Sequence, residues 1–178
     1  MRKTLYLLAG AVLFAASPAF AQNTITIGFT ASQTGKLNND STAQMRGIDL
    51  WRDDVNAHGG IKAGGKSYQV KLVSYDDESQ HTRVQQLYTR LITQDKAQFL
   101  ISPYSSGLVA TAAVISEQYG KVMITTGAAL QKTYKLGNKH LFQIYTGTGG
   151  YLIGTLQALL EKNKHPRMQS ILCTNPDR

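Results

Sequence analysis

An α/β fold, a mostly parallel sheet with helices on both faces, is the class this sequence predicts. Two observations carry it. Short apolar β-rich runs alternate with helix-period segments, the sequence sign of βαβ units. The alternation is regular from residue 24 onward, with no internal repeat and no low-complexity tract to suggest another architecture.

Residues 24–29 form the first strand, and the polar residues 30–39 a loop. A helix follows from about Asp40, with Ile48, Trp51 and Val55 at i, i+3 and i+7. It stops at Gly59-Gly60, where left-handed backbone costs little. Residues 68–75 alternate as a second strand. The next helix carries Val84, Leu87, Tyr88 and Leu91 on one face, after Asp76, Asp77, Glu78 and Ser79, residue types that suit a helix N-terminus. Residues 98–102 are a third strand, and a third helix over 105–118 places Leu108, Thr111, Ala112 and Ile115 on its buried stripe. Residues 122–125 are the fourth strand, 126–140 a polar loop rich in Gly and Lys, and 141–145 the fifth strand. A helix over 151–162 and an apolar run at 170–173 complete the chain. A parallel strand needs cover on both faces, and only five residues follow the last run, so the sequence reads as a truncated one.

Residues 1–21 have the three parts of a cleaved export signal: Arg2 and Lys3, an apolar core from Leu5 to Ala16, and small residues ending Ala19-Phe20-Ala21. A membrane anchor needs roughly 20 apolar residues; this run is shorter, and Pro18 follows it. The expected compartment is therefore extracytoplasmic. The remaining 157 of the 178 residues suffice for one domain, or part of a larger one. The whole chain carries +8, and +6 once Arg2 and Lys3 are removed. These basic residues are scattered, with no run interleaved with aromatics, so a solvated basic surface is expected and not a nucleic-acid interface. Cys173 is the only cysteine, which excludes an internal disulfide.

In an open α/β sheet, ligands bind beyond the carboxyl ends of the strands, where helix N-termini present free N–H groups. Three loops qualify: residues 30–40, Pro103-Tyr104-Ser105-Ser106-Gly107 and Thr125-Thr126-Gly127-Ala128-Ala129. Ser105 and Ser106 offer hydroxyls at a helix start that could hold a carboxylate; Ser105 equally suits a cap for its own helix.

Enzyme chemistry lacks its parts. In Gly147-Thr148-Gly149-Gly150-Tyr151-Leu152 the third glycine of a dinucleotide fingerprint would fall at Leu152. Tyr104-Ser105-Ser106-Gly107 lacks the leading glycine of a nucleophile elbow. His58, His81, His140 and His165 lie far apart and have no metal-ligand spacing. Asp76-Asp77-Glu78 reads as a helix start, because no glycine-punctuated calcium loop follows. No catalytic residue, metal or cofactor is expected.

Several strings then carry a family resemblance. Ile25-Thr26-Ile27-Gly28 opens the domain, with Thr34-Gly35 in the first loop, Arg46-Gly47 in the first helix and Asp54-Val55-Asn56-Ala57-His58-Gly59-Gly60-Ile61 at its end. Val73-Ser74-Tyr75-Asp76-Asp77, Ser105-Ser106 and Val122-Met123-Ile124-Thr125 follow. From Ile25 to Cys173 the chain resembles periplasmic solute-binding proteins of ABC transporters with the type I fold, the branch similar to leucine/isoleucine/valine-binding proteins.

The resemblance implies two α/β lobes joined by a hinge, closing on a small solute before docking onto a membrane permease. It implies an N-terminal ligand-binding lobe over 22–145, and a hinge crossing plus the start of a truncated second lobe over 146–178. Ser105 and Ser106 fall where the family receives an amino-acid carboxylate, with Tyr104 beside them. Gly127, Ala128 and Ala129 fall in the loop that receives the ammonium through a carbonyl and a hydroxyl; Ala129 stands where α-amino-acid binders commonly have Ser or Thr, and supplies no hydroxyl. Asp40, near where some members put an aromatic, either meets a cation or caps the first helix. Some leucine-binding members carry a disulfide in this lobe, which Cys173 alone cannot form. The expected function is a non-catalytic periplasmic receptor for an amino acid or similar small carboxylate or amide. A same-fold sensor for a signalling partner and an exported α/β enzyme are the rivals. With most of one lobe missing, this chain is expected to bind weakly or not at all and to expose apolar faces.

Overall fold

Strand β1, Thr24–Ala31, lies inside the sheet and has parallel neighbours on both sides. The computed structural model describes residues 23–135 and 137–163; the expected export signal at 1–21 and the apolar run at 170–173 lie outside the described residues. After β1 come α1 (Asn38–Ala57), β2 (Ile61–Ala63), β3 (Lys66–Asp76), α2 (His81–Thr93), β4 (Phe99–Ile101), α3 (Ser106–Gln118), β5 (Met123–Thr125), β6 (Leu141–Gln143) and α4 (Ile153–Asn163). Short 3-10 turns stand at Gln131–Thr133 and Thr148–Gly150. The strand order is β2-β3-β1-β4-β5-β6, parallel throughout except for β2.

The expected α/β class holds, with local differences. β1 continues to Ala31 and α1 begins at Asn38, so the first loop is shorter than the composition suggests. β2 pairs antiparallel with β3 across Gly64-Gly65, both at positive φ, a hairpin the sequence reading left out. Asp76 to Ser79 do not cap α2. Glu78 and Ser79 take positive φ, which turns the chain, and the helix starts only at His81 behind Gln80, which makes no side-chain cap bond. Asp40 does not cap α1 either: the cap position is Leu37, and Asp40 lies within the first helical turn.

Helices α2 and α3 cover one face of the sheet. Val84, Tyr88, Leu91, Leu108 and Val109 pack there on Leu100, Met123 and Leu141. Buried Tyr88 donates its hydroxyl to the Ile101 carbonyl at 2.6 Å, and burial pushes its phenol well up. On α3, Val109, Ala113 and Ser116 are buried, while Thr111 and Ile115 are half-buried. The opposite face carries α1, the one helix packed there among the described residues: Ile48 and Met45 meet Phe29, Ala31, Leu72 and Ile101. Trp51, on the same predicted stripe, stays 40% exposed.

The exit from α1 depends on Gly60. Its φ is +83°, and a Cβ there would lie 2.2 Å from the Tyr68 carbonyl oxygen. Gly60→Ala therefore combines left-handed backbone with a collision against the β3 backbone, and we expect a loss of about 3 kcal/mol or more in stability. A lowered urea midpoint in equilibrium unfolding checks this; an unchanged midpoint would refute it.

Candidate functional site

Because the strands run parallel, the carboxyl ends of β1, β3, β4 and β5 meet on one edge. Polar side chains are concentrated there. Asp77 is fully buried and accepts from the Thr30 hydroxyl at 2.7 Å, the Ser32 hydroxyl at 2.5 Å and the Ser79 N–H at 2.9 Å. A buried carboxylate persists only with such a complete set of donors. Asp76 takes the N–H groups of Gln33, Thr34 and Glu78 and the Thr34 hydroxyl. The two aspartates thus tie the loop after β1 to the end of β3.

Helix α1 reaches the same edge through polar contacts. Ser41 Oγ accepts from the Ser32 N–H at 2.7 Å, and the Asn38 amide donates to the Gln33 carbonyl. Gln44 Nε2 donates to the Ser102 carbonyl at 2.9 Å and to Thr126 Oγ1 at 2.6 Å, joining α1 to the ends of β4 and β5. Its Oε1 is buried and has no partner among the described residues.

The loop after β4 holds the serines. Ser105 has φ 87° and ψ 141°, a conformation that costs a side-chain-bearing residue about 1–3 kcal/mol. It is the N-cap of α3, accepting the Leu108 N–H at 3.3 Å, and its own N–H reaches the Gly127 carbonyl at 3.2 Å. Ser106 Oγ accepts the Leu130 N–H at 3.2 Å. The N–H groups of Ser106 and Gly107 belong to the first helical turn, which has no intrahelical acceptors. Gly127 lies so near Tyr104 that a Cβ on it would stand 3.1 Å from the Tyr104 Cα.

Tyr104, Ser105, Ser106 and Gly127 are therefore brought together. Asp40 stands beside Tyr104, near enough for its carboxylate to act on the phenol. Burial, then the Asp40 charge, push the Tyr104 phenol up. Ala128 is fully buried and stands behind this wall, its carbonyl accepting the Tyr134 hydroxyl at 2.7 Å. Ala129 is half-buried, and its carbonyl accepts the Thr148 N–H at 2.9 Å. Two residues that sequence reasoning missed complete the edge. Tyr145 and Tyr151 lie side by side near Tyr104, and the neighbouring Tyr145 hydroxyl is the main cause that pushes the Tyr151 phenol up to about 12. A polar Gln44 one turn after Asp40, on the stripe of Ile48 and Trp51, was the available signal for the bridge across α1.

Among the described residues no group of three or more His, Cys, Asp or Glu is placed to hold a metal, and no helix is long and apolar enough to cross a membrane. The arrangement is a polar edge of helix-start N–H groups, hydroxyls, phenols and one exposed carboxylate, Asp40.

Residues 24–173 match the family model described as periplasmic binding protein. An amino acid binding protein of Pseudomonas aeruginosa is 25% identical over 141 residues, which are 75% of this chain and 37% of that protein. Among solved structures, LivJ of Streptococcus pneumoniae, a branched-chain amino acid transporter substrate binding protein in complex with isoleucine, superposes with TM-score 0.65 at 30% identity. The match covers 76% of this chain and 39% of LivJ. A solute binding protein of an R. palustris ABC transporter in complex with 4-hydroxybenzoate shares the fold at TM-score 0.64 and 20% identity, over 79% of this chain and 37% of its own. The chain thus spans about two-fifths of the length of these relatives.

Two predictions follow from the loops of this edge. Ser105→Gly relieves the strained backbone and loses only a few tenths of the cap, whereas Ser105→Ala keeps the strain and loses the cap. Thermal unfolding should move up for glycine by about 1 kcal/mol and down by a similar amount for alanine; shifts in the same direction would refute the strain. For Asp76, burial opposes the charge, but the hydrogen bonds from Glu78, Thr34 and Gln33 prevail and hold its carboxyl below the usual range. Its contribution is present above the unfolded aspartate value of about 3.9 and is lost as pH falls through the lower folded value. The melting-temperature advantage of the native chain over Asp76→Asn should therefore shrink on acidification below about pH 4, and an advantage that grows there would contradict the assignment.

Proposed function

We propose that this chain, which belongs to the periplasmic binding protein family, supplies the first ligand-binding wall of an extracytoplasmic solute receptor feeding an ABC importer. The solute is an amino acid or a similar small carboxylate or amide. Residues 22–145 form the lobe, and 146–178 the hinge crossing and the start of a second lobe. The receptor is non-catalytic, held by the export signal's destination to the periplasm, and its macromolecular partner is the membrane permease.

One observation carries this reading. Ser105, Ser106 and Gly127 converge at the amino end of α3, on the carboxyl edge of a parallel sheet. Unpaired N–H groups and the positive end of a 13-residue helix there attract a carboxylate. The family match and the amino-acid ligands printed for the Pseudomonas and Streptococcus relatives support that choice. Ala129 brings no hydroxyl, so the ligand's opposite, donor-bearing end relies on carbonyls and on Asp40, beside Tyr104.

A single wall encloses little of a ligand, and enclosure is the source of affinity in such clefts. A thermal-shift panel of amino acids, amides and aromatic acids, run on residues 22–178 and on a version completed with the rest of the family fold, tests the proposal. The completed protein should gain about 2.7 kcal/mol at a hundredfold excess over Kd, and Ser106→Ala should weaken its binding about tenfold. No response from the completed protein would overturn the receptor reading; an equal response from the short chain would overturn the need for a second wall.

A further inference from the structure

Hydrogen bonding around the amino end of α3 runs in one direction. Ser105 Oγ accepts the Leu108 N–H and Ser106 Oγ accepts the Leu130 N–H, so both hydroxyl protons remain for another acceptor. With the first-turn N–H groups of Ser106 and Gly107, they make this end of the helix rich in donors.

The adjoining loop after β5 has its acceptors already engaged. Gly127 is buried, and its carbonyl takes the Ser105 N–H at 3.2 Å. The carbonyl of fully buried Ala128 takes the Tyr134 hydroxyl at 2.7 Å. Tyr134 has thereby given its proton to Ala128, so its 2.6 Å contact with Thr125 Oγ1 is a donation by Thr125. The Ala129 carbonyl takes the Thr148 N–H at 2.9 Å, and the alanine methyl adds no acceptor. Thr126 Oγ1 accepts from Gln44 at 2.6 Å. Gln44 Oε1, unpaired among the described residues, is buried against Gly127, out of a ligand's reach.

An ammonium carries three donors and no acceptor. In an α-amino acid it is bonded to the carbon next to the carboxylate. A carboxylate seated at α3 therefore brings its ammonium to the loop that Ser105 touches at Gly127. There the second lone pair of the Ala129 carbonyl is the one acceptor within reach among the described residues of the loop. A charge left short of partners is costly, whereas a C–H group in the same place needs none. We propose that the solute is a carboxylate with no ammonium on its α-carbon: an aliphatic or aromatic acid and not an α-amino acid. The inference rests on the receptor reading above and narrows its solute class. Asp40, on α1 beside Tyr104, is left for a donor at the far end of the solute.

Matched probes that differ by the ammonium alone test this: acetate against glycine, isocaproate against L-leucine, and hydrocinnamate against L-phenylalanine. In isotope-labelled residues 22–178, the amide signals of Ser106 and Gly107 report contact even at millimolar affinity. Calorimetry on the version completed with the rest of the family fold measures the same pairs under full enclosure. In every pair that binds, the acid should bind about tenfold or more tightly than its amino acid. Ala129→Ser returns a hydroxyl acceptor to the loop, and should narrow that gap about threefold by strengthening the amino acid while leaving the acid unchanged. An amino acid that equals or exceeds its acid, or a gap that Ala129→Ser leaves as wide, would overturn the proposal and leave the receptor reading standing. Binding of no probe to either protein would overturn the carboxylate site at α3 and this proposal with it.

Discussion

The burial of one carboxylate, Asp77, sets the terms for the rest of the functional edge. Its oxygens must find donors inside the protein, and they find them on two segments: Thr30 and Ser32 at the end of β1, and Ser79 before α2. Removing any of these leaves a buried charge short of a partner, which costs more than the bond itself contributes. The loop after β1 is consequently held in one geometry, Asp76 clasps its outer side, and Ser32 offers its N–H to Ser41 on α1. The first helix is aimed by this chain of contacts, and with it Asp40 and Gln44 reach Tyr104, Ser102 and Thr126.

Much of the fold was legible because its elements announce themselves by period. Val84, Leu87, Tyr88 and Leu91 were read as a buried helical face and are one. The glycine pair ending α1 was read as left-handed backbone, and both residues have positive φ. What was missed has physical reasons. β2 is three residues long with a single large apolar side chain, Ile61, too short for alternation to show, although the Gly64-Gly65 turn beside it is a hairpin signal. The acidic run before α2 carried the composition of a helix start. Asp76 and Asp77 instead take donors from the β1 segment across the sheet, a tertiary demand that local propensity does not register.

At the candidate site, the loops singled out in the sequence lie on one edge, but the partnerships among their residues are not legible there. Tyr104, Ser105, Ser106 and Gly127 do meet, since topology places the ends of neighbouring parallel strands together. The link from Tyr104 to Asp40, the bridge from Gln44 and the approach of Tyr145 and Tyr151 join residues far apart in the chain, and no spacing rule connects them. Ser105 shows how the two kinds of reading combine. It was open to interpretation as a cap or as a ligand group; it is a cap, and it holds a strained conformation of the kind found where a loop is shaped for contact.

The central position of β1 bears on how the chain reaches its native state. Ile27 pairs on one side with Leu72 and on the other with Phe99, so the first strand made is also one whose neighbours are synthesised much later. Parallel pairings of such separation carry a loop-closure cost that must be met before they stabilise anything, which makes folding slow. Until about residue 100 is available, β1 has no complete place to dock. A polypeptide with this topology therefore keeps its first strand unpaired on one side for longer than one built from neighbouring segments.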